Sequence, residues 1–154
     1  MRLPEPFTFF LDRCLGTKAV PRVITPALAQ EEKLILLDDH FASNALDASW
    51  IPQVGAKGWV IITKDSAMRR NPLEIQALLA ARTAVFFFAN ASLLGSQVGD
   101  ALALALPGMR KAIRRFKVPL IGRVNAAGEV AVLYDDGMEL KPPKHIKIPR
   151  LGRL

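Results

Sequence analysis

Aspartates close three of the apolar runs in this sequence. Asp12 ends the run from Phe7, Asp38 and Asp39 end the run from Leu34, and Asp65 ends the run from Trp59. If these runs are strands of one parallel sheet, the acids collect at its carboxyl edge, where ligands of open α/β sheets bind. Asp47, at the start of a short helical segment, could join them. Three or four crowded carboxylates repel one another unless a cation sits among them, and hard oxygen donors without a His or Cys cluster point to Mg²⁺ or Mn²⁺. Such a cage polarises a phosphoryl oxygen and activates water for in-line attack on a phosphodiester. Aspartate also favours turns and helix caps, which accounts for any one of these residues equally well and for three strand ends together less easily.

The elements that must position these acids follow from the apolar pattern. The three runs, and a fourth from Val85 to Asn90, are nearly continuous rather than alternating, as expected of strands covered on both faces. Helical segments fall between them: Thr17 to Gln30, interrupted by Pro21 and Pro26; Leu46 to Gly55; and Pro72 to Ala81, where Asn71 and Pro72 form a cap and first-turn pair. Strands alternating with helices predict an α/β fold with a mostly parallel sheet. Further on, Val98, Leu102, Leu106, Met109, Ile113 and Phe116 form a helical stripe with Arg110, Lys111, Arg114 and Arg115 beside it. Pro107 predicts a kink there, or two helices. Leu120 to Val124 and Val130 to Tyr134, joined by Asn125 to Gly128, predict a hairpin at the sheet edge. From Pro142 onward the chain reads as an extended basic tail, so residues 1–140 are expected to form one domain and 141–154 its tail.

Charge is unevenly placed. The 154 residues carry +7, yet six Lys and Arg fall between 110 and 123 and five between 141 and 154, with no acid in either stretch. The remainder holds ten basic residues against 14 acids, which makes the body acidic. Carboxylates in one place and a polyanion-attracting surface in another are thus expected. With 51% apolar residues the chain is no disordered or collagen-like protein, and its single cysteine, Cys14, excludes an intrachain disulfide and a CxxC metal pattern. The run from Phe7 to Leu11 is too short and lacks the cleavage signal of an export leader, and the longest uncharged stretch, Thr83 to Gly99, is below spanning length. A cytoplasmic location with no membrane contact is the expectation.

Several blocks in order carry a family resemblance: FFLDRCLG at 9–16, LLDDHF at 36–41, Asp47 followed by Trp50, GWVIITKD at 58–65 and RRNPLE at 69–74. Together they resemble the PIN-like domains, and among these the toxin components of bacterial toxin–antitoxin pairs, over about Phe7 to Val124. The resemblance implies a three-layer α/β/α sandwich and a metal-dependent endoribonuclease that uses Mg²⁺ or Mn²⁺. Asp12 then matches the acid ending the first strand and Asp65 the acid of the T-[KR]-D block, with Asp39 and Asp47 as the intermediate acids. Thr63 stands where the family commonly has a hydroxyl residue. Two departures stand out: PIN nucleases place a glutamate among the central acids where this chain has aspartates, and the segment beyond about Asp135 has no counterpart. The implied partners are RNA and a cognate antitoxin, with a homo-oligomer as a further expectation.

Candidate substrate contacts are the cations near the acids, Arg13, Lys64, Arg69 and Arg70, which could hold a phosphate, and the helical row Arg110, Arg114 and Arg115, which could follow an RNA backbone. Each also reads as an ordinary exposed charge. His40 reads as a general acid or a metal ligand, or else as a hydrogen-bonded structural neighbour of a carboxylate, Cys14 as an inert thiol, and Trp50 and Trp59 as core. Phe86 to Phe88 reads as a central strand because no basic residue interleaves it. The rival function is a non-catalytic RNA- or partner-binding module that keeps the fold without a full metal site. A receiver domain is excluded because the acid pair is not at the end of the first strand.

Overall fold

The computed structural model describes residues 3–15, 19–42, 44–64, 71–89, 93 and 95–148, apart from the side chain of Cys14. The apolar runs become strands: β1 (Thr8–Leu11), β2 (Lys33–Leu36), β3 (Val60–Lys64) and β4 (Ala84–Phe88). They pair in parallel with β5 (Leu120–Val124), and β6 (Val130–Asp135) and β7 (Met138–His145) add antiparallel, giving the order β2-β1-β3-β4-β5-β6-β7.

Strand alternation divides the core into two layers. Phe9, Leu11, Val60, Ile62, Phe86 and Phe88 face α1 (Ala19–Ile24) and α5 (Gly95–Arg115). Phe10, Ile61, Val85 and Phe87 face α3 (Asp47–Ala56) and α4 (Pro72–Ala80). Both faces of the central strands are therefore covered, which is why their sequences show no polar alternation. The result is the mostly parallel α/β/α sandwich that the pattern and the resemblance lead one to expect.

Several local readings need correction. The run ending at Asp39 is not a strand to its end: β2 stops at Leu36, and Leu37 to His40 form one helical turn, α2. Leu37 is buried in the α3–α4 layer, and turning the chain there leaves Asp38, Asp39 and His40 exposed. Of the helix expected from Thr17 to Gln30, Thr17 and Lys18 lie outside the described residues, and the rest ends early, because at Pro26, which has no N–H to continue the ladder, α1 gives way to a tighter turn at Thr25–Ala27. In the other direction, Pro107 does not divide α5. It lies on the solvent side of a helix whose other side is held by Ala105, Leu106, Gly108 and Met109, all buried, so water can satisfy the carbonyl that loses its donor.

Asn71 caps α4 as expected, its side chain accepting from the Leu73 amide at 3.0 Å. The hairpin β5–β6 is also present, but β7 lies outside it, so the sheet ends in a three-strand meander. Lys141 to His145 belong to that outer strand, and its two prolines fit an edge position where N–H groups are not required. Among the described residues no helix is long and apolar enough to cross a membrane.

Candidate active site

β1 is flanked by β2 and β3, so its carboxyl end lies between theirs. Asp12 extends the β1–β3 ladder by one residue, its amide donating to the Ile62 carbonyl at 3.0 Å. Its side chain shares the face of Phe10 and Ile61, and so does that of Thr63. The Thr63 hydroxyl donates to Asp12 Oδ2 at 2.6 Å, and the Arg13 amide donates to Oδ1 at 2.6 Å. Thr63 is buried and Asp12 half-buried. Both oxygens of the Asp12 carboxylate are thereby oriented by donors whose own positions are set by the sheet.

Asp47 reaches the same end and face of the sheet by another route. It opens α3, which connects β2 to β3 and so runs back against the strands, and α3 packs through Trp50, Ile51 and Val54 on the layer holding Phe10 and Ile61. Asp47 Oδ1 accepts a 3.0 Å hydrogen bond from the indole N–H of Trp50. Trp50, read as core from sequence, is core and more: it is 1% exposed, its ring lies 5.2 Å from that of Phe10, and it orients a candidate site carboxylate. The Asp-x-x-Trp spacing, one helical turn, was the available signal.

Asp38 and Asp39 diverge. Arg13 Nε donates to Asp38 Oδ1 at 2.7 Å and the same guanidinium reaches the Ala42 carbonyl at 3.3 Å, so Arg13 ties the chain after β2 to the chain after β1. Asp39 is exposed and has no side-chain hydrogen bond or ion pair among the described residues. His40 packs edge-on against Phe41 and Trp59, with ring centroids 4.9 and 5.1 Å away. Lys64 ends β3 half-buried, and alternation turns it to the face opposite Thr63. Asp65, Arg69 and Arg70 lie outside the described residues.

The basic row of α5 is at the other end of the molecule. Arg110 donates to Glu32 from Nε at 2.9 Å and from a terminal nitrogen at 2.7 Å, and Arg114 donates to Glu5 Oε1 at 3.0 and 2.6 Å. Glu5 and Glu32 precede the amino ends of β1 and β2, whereas Asp12 and Asp38 follow their carboxyl ends. Arg115 sits over the Phe116 ring at 5.6 Å, in the same last turn of α5. The structure thus does not bring Arg110, Arg114 and Arg115 together with the candidate carboxylates. Burial pushes the Glu32 carboxyl up, but the Arg110 hydrogen bond, the Ala29 amide and the charges of Arg110 and Arg114 outweigh it and hold Glu32 below its ordinary range. The Glu5 carboxylate makes Arg114 hold its proton more tightly than usual.

At the carboxyl end the donors on offer are carboxylate oxygens and a hydroxyl, in kind a hard set suited to a divalent cation. Among the described residues no three His, Cys, Asp or Glu side chains lie close enough to hold an ion. Asp12 and Asp47 would contribute two carboxylates from separate elements, and the end of β3 leads directly to Asp65.

Residues 7–90 match the family model described as PIN like domain. A Mycobacterium tuberculosis protein named as a ribonuclease, VapC45, is 30% identical over 128 residues, which cover 80% of this chain and 90% of that protein. No solved structure matches the chain. The matched segment runs from the start of β1 through β4 and includes Asp12, Asp38, Asp39, Asp47 and Asp65, and on this ground the chain belongs to the PIN-like domain family.

Proposed function

We propose that this protein is an endoribonuclease that hydrolyses RNA phosphodiester bonds with the help of Mg²⁺ or Mn²⁺, and that it serves as the toxin of a toxin–antitoxin pair. The observation that carries the reading is the Asp12 carboxylate, oriented by Thr63 and the Arg13 amide at the carboxyl edge of the sheet, with Asp47 brought to the same edge by α3. The likeness to a protein named as a ribonuclease supports it.

Asp12, Asp47 and Asp65 would hold the metal, with Asp39 beside them. The bound ion would polarise the phosphoryl oxygen and lower the pKa of the attacking water. Thr63 and Trp50 hold carboxylate oxygens in place and so limit the reorganisation needed when substrate arrives. Arg13, tethered to Asp38, keeps Asp38 from acting as a free ligand; Asp38 is accordingly the weaker candidate of the adjacent pair. Lys64, Arg69 and Arg70, the cations that flank Asp65 in sequence, are assigned to the RNA backbone. The cytoplasm is the assigned compartment, and a small protein antitoxin is the assigned partner.

The test is cleavage of a labelled RNA by the purified chain. Activity should require added Mn²⁺ or Mg²⁺, vanish with EDTA and return when the metal is restored. Cleavage that is indifferent to EDTA contradicts the metal-dependent reading. A chain that binds RNA in a salt-dependent manner and never cuts it is the non-catalytic module instead.

A further inference from the structure

One row of paired residues runs from the candidate carboxylates across the sheet. Asp12 stands beside Thr63, Thr63 pairs with Phe87, Phe87 with Arg123, Arg123 with Ala131 and Ala131 with His145. Residues paired directly across strands point to one face, so Arg123 and His145 share the α3–α4 side of the sheet with the Asp12 carboxylate. The register shifts of the β5–β7 meander fall outside this row. At the usual strand spacing, the Cα of Arg123 lies roughly 10 Å and that of His145 roughly 19 Å from Thr63.

The surroundings of Arg123 are unusual for a cation of this chain. On its side of the sheet the apolar layer reaches Ile121 and Leu133, and Arg123 is half-buried where that layer stops. Arg110 and Arg114 are each tied to a glutamate, whereas the Arg123 side chain has no hydrogen bond or ion pair among the described residues. Glu129, the acid of the β5–β6 turn, is engaged by Asn125, whose Nδ2 donates to it at 2.9 Å. Ala131 puts only a methyl group between Arg123 and the exposed His145. A partly desolvated guanidinium without a counter-charge is costly until an anion meets it.

We propose that Arg123, with His145 outside it, binds the RNA backbone to one side of the scissile bond. The inference rests on the nuclease reading and says where its substrate lies. Two strands away from Thr63, Arg123 stands clear of the reacting phosphate and within reach of a neighbouring one, which its planar fork can hold through two parallel N–H donors. Two cationic side chains in line, with a shallow floor between them, fit successive phosphates of one strand. The row Arg110, Arg114 and Arg115 is turned away from the acids, and Arg123, from the same basic stretch, is turned toward their side. The subsite lies on β5 to β7, beyond the residues 7–90 that match the family model.

The experiment is binding of a labelled single-stranded RNA of about 20 nucleotides by the full chain, followed by anisotropy over a salt series in EDTA so that metal-dependent cleavage is silent. Arg123→Gln should weaken binding roughly 5- to 10-fold and lower the slope of log Kd against log salt by about 0.7, the share of one phosphate on a single strand. Arg123→Lys should keep that slope and most of the affinity. His145→Gln, at an exposed position, should weaken binding with an unchanged Tm and serves as the second variant. Lys144→Gln removes a charge from the next residue, which pairs with Val132 on the α5 side, and should leave Kd as it is. A wild type that binds no RNA, or equal Kd values for wild type, Arg123→Gln and His145→Gln, overturns the proposal. So does an equal loss in Lys144→Gln, which would mark an effect of net charge alone. If Arg123→Gln instead loses binding to polyglutamate and keeps its RNA affinity, the face belongs to an acidic protein segment and the proposal fails. A chain that binds RNA through Arg123 and never cuts it with Mn²⁺ contradicts the nuclease reading and upholds the subsite.

Discussion

The Thr63 hydroxyl and the Asp12 carboxylate, 51 residues apart in sequence, meet at 2.6 Å because β1 and β3 are parallel neighbours in a register that sets the two residues side by side. Thr63→Val keeps the side-chain volume and removes the donor. Stability should change by about 1 kcal/mol, the usual net worth of one hydrogen bond, while kcat for RNA cleavage falls roughly 10- to 100-fold, as for partners that orient a metal-ligating carboxylate. Thr63→Ser should recover most of the loss. A Thr63→Val enzyme with wild-type kcat would show that the hydroxyl does not position Asp12.

Trp50 makes the corresponding bond to Asp47. Trp50→Phe retains an aromatic ring against Phe10 but loses the N–H and some volume, so it should cost roughly 1–3 kcal/mol of stability. The functional effect is separable. The rise in Tm produced by saturating Mn²⁺, measured against each protein's own metal-free Tm, should be smaller in the variant. An equal rise would mean that Asp47 serves to satisfy the indole and not the converse.

The Arg13–Asp38 pair is exposed, with side-chain accessibilities of 39% and 55%, and such pairs contribute at most about 1 kcal/mol to stability. Its expected role is to hold the α2 segment beside Asp12. Arg13→Gln, Asp38→Asn and the double variant should therefore lose the same few-fold factor in activity, because each breaks one tether. Additive losses in the double variant would indicate separate roles, such as Arg13 gripping a phosphate.

Glu32 and Arg110 form the buried counterpart, at side-chain accessibilities of 3% and 15%. Because the folded Glu32 titrates below its ordinary 4.5, it contributes stability that is fully present above that value and lost as pH falls through the lowered folded value. Glu32→Gln should destabilise by roughly 1.5–3 kcal/mol at neutral pH, and the gap to wild type should close below about pH 4.5. Urea unfolding at a series of pH values measures it, and a gap constant down to pH 3 would contradict the assignment. By the same geometry Arg110→Gln should lower stability and leave the KM for RNA unchanged.

The parallel core was legible in the sequence because strands buried on both faces leave continuous apolar runs, and α4 was legible from Asn71 and Pro72. Of the acids expected at strand ends, Asp12 directly follows β1, Asp38 and Asp39 stand in the helical turn after β2, and Asp65 lies outside the described residues. What was not legible depends on partners distant in the chain. Arg110 and Arg114 look like a free cationic face until the fold delivers Glu32 and Glu5 to them. Asp38 and Asp39 look equivalent until a helical turn replaces the end of β2 and Arg13 takes one of them. Pro107 looks like a break because local propensity ignores the burial that holds α5 together on its other side.

Asp12→Asn is the most direct test of the nuclease reading. The substitution keeps the shape of the side chain and lets its remaining oxygen accept from the Arg13 amide, while its NH2 donates to the Thr63 hydroxyl oxygen in place of accepting from it, and it removes the charge a divalent cation requires. With Mn²⁺ present and Tm within a few degrees of wild type, RNA cleavage by Asp12→Asn should fall by a factor of at least about 100, as expected when a group essential to metal-assisted hydrolysis is removed. Cleavage at the wild-type rate would contradict the assignment of the active site to this edge of the sheet.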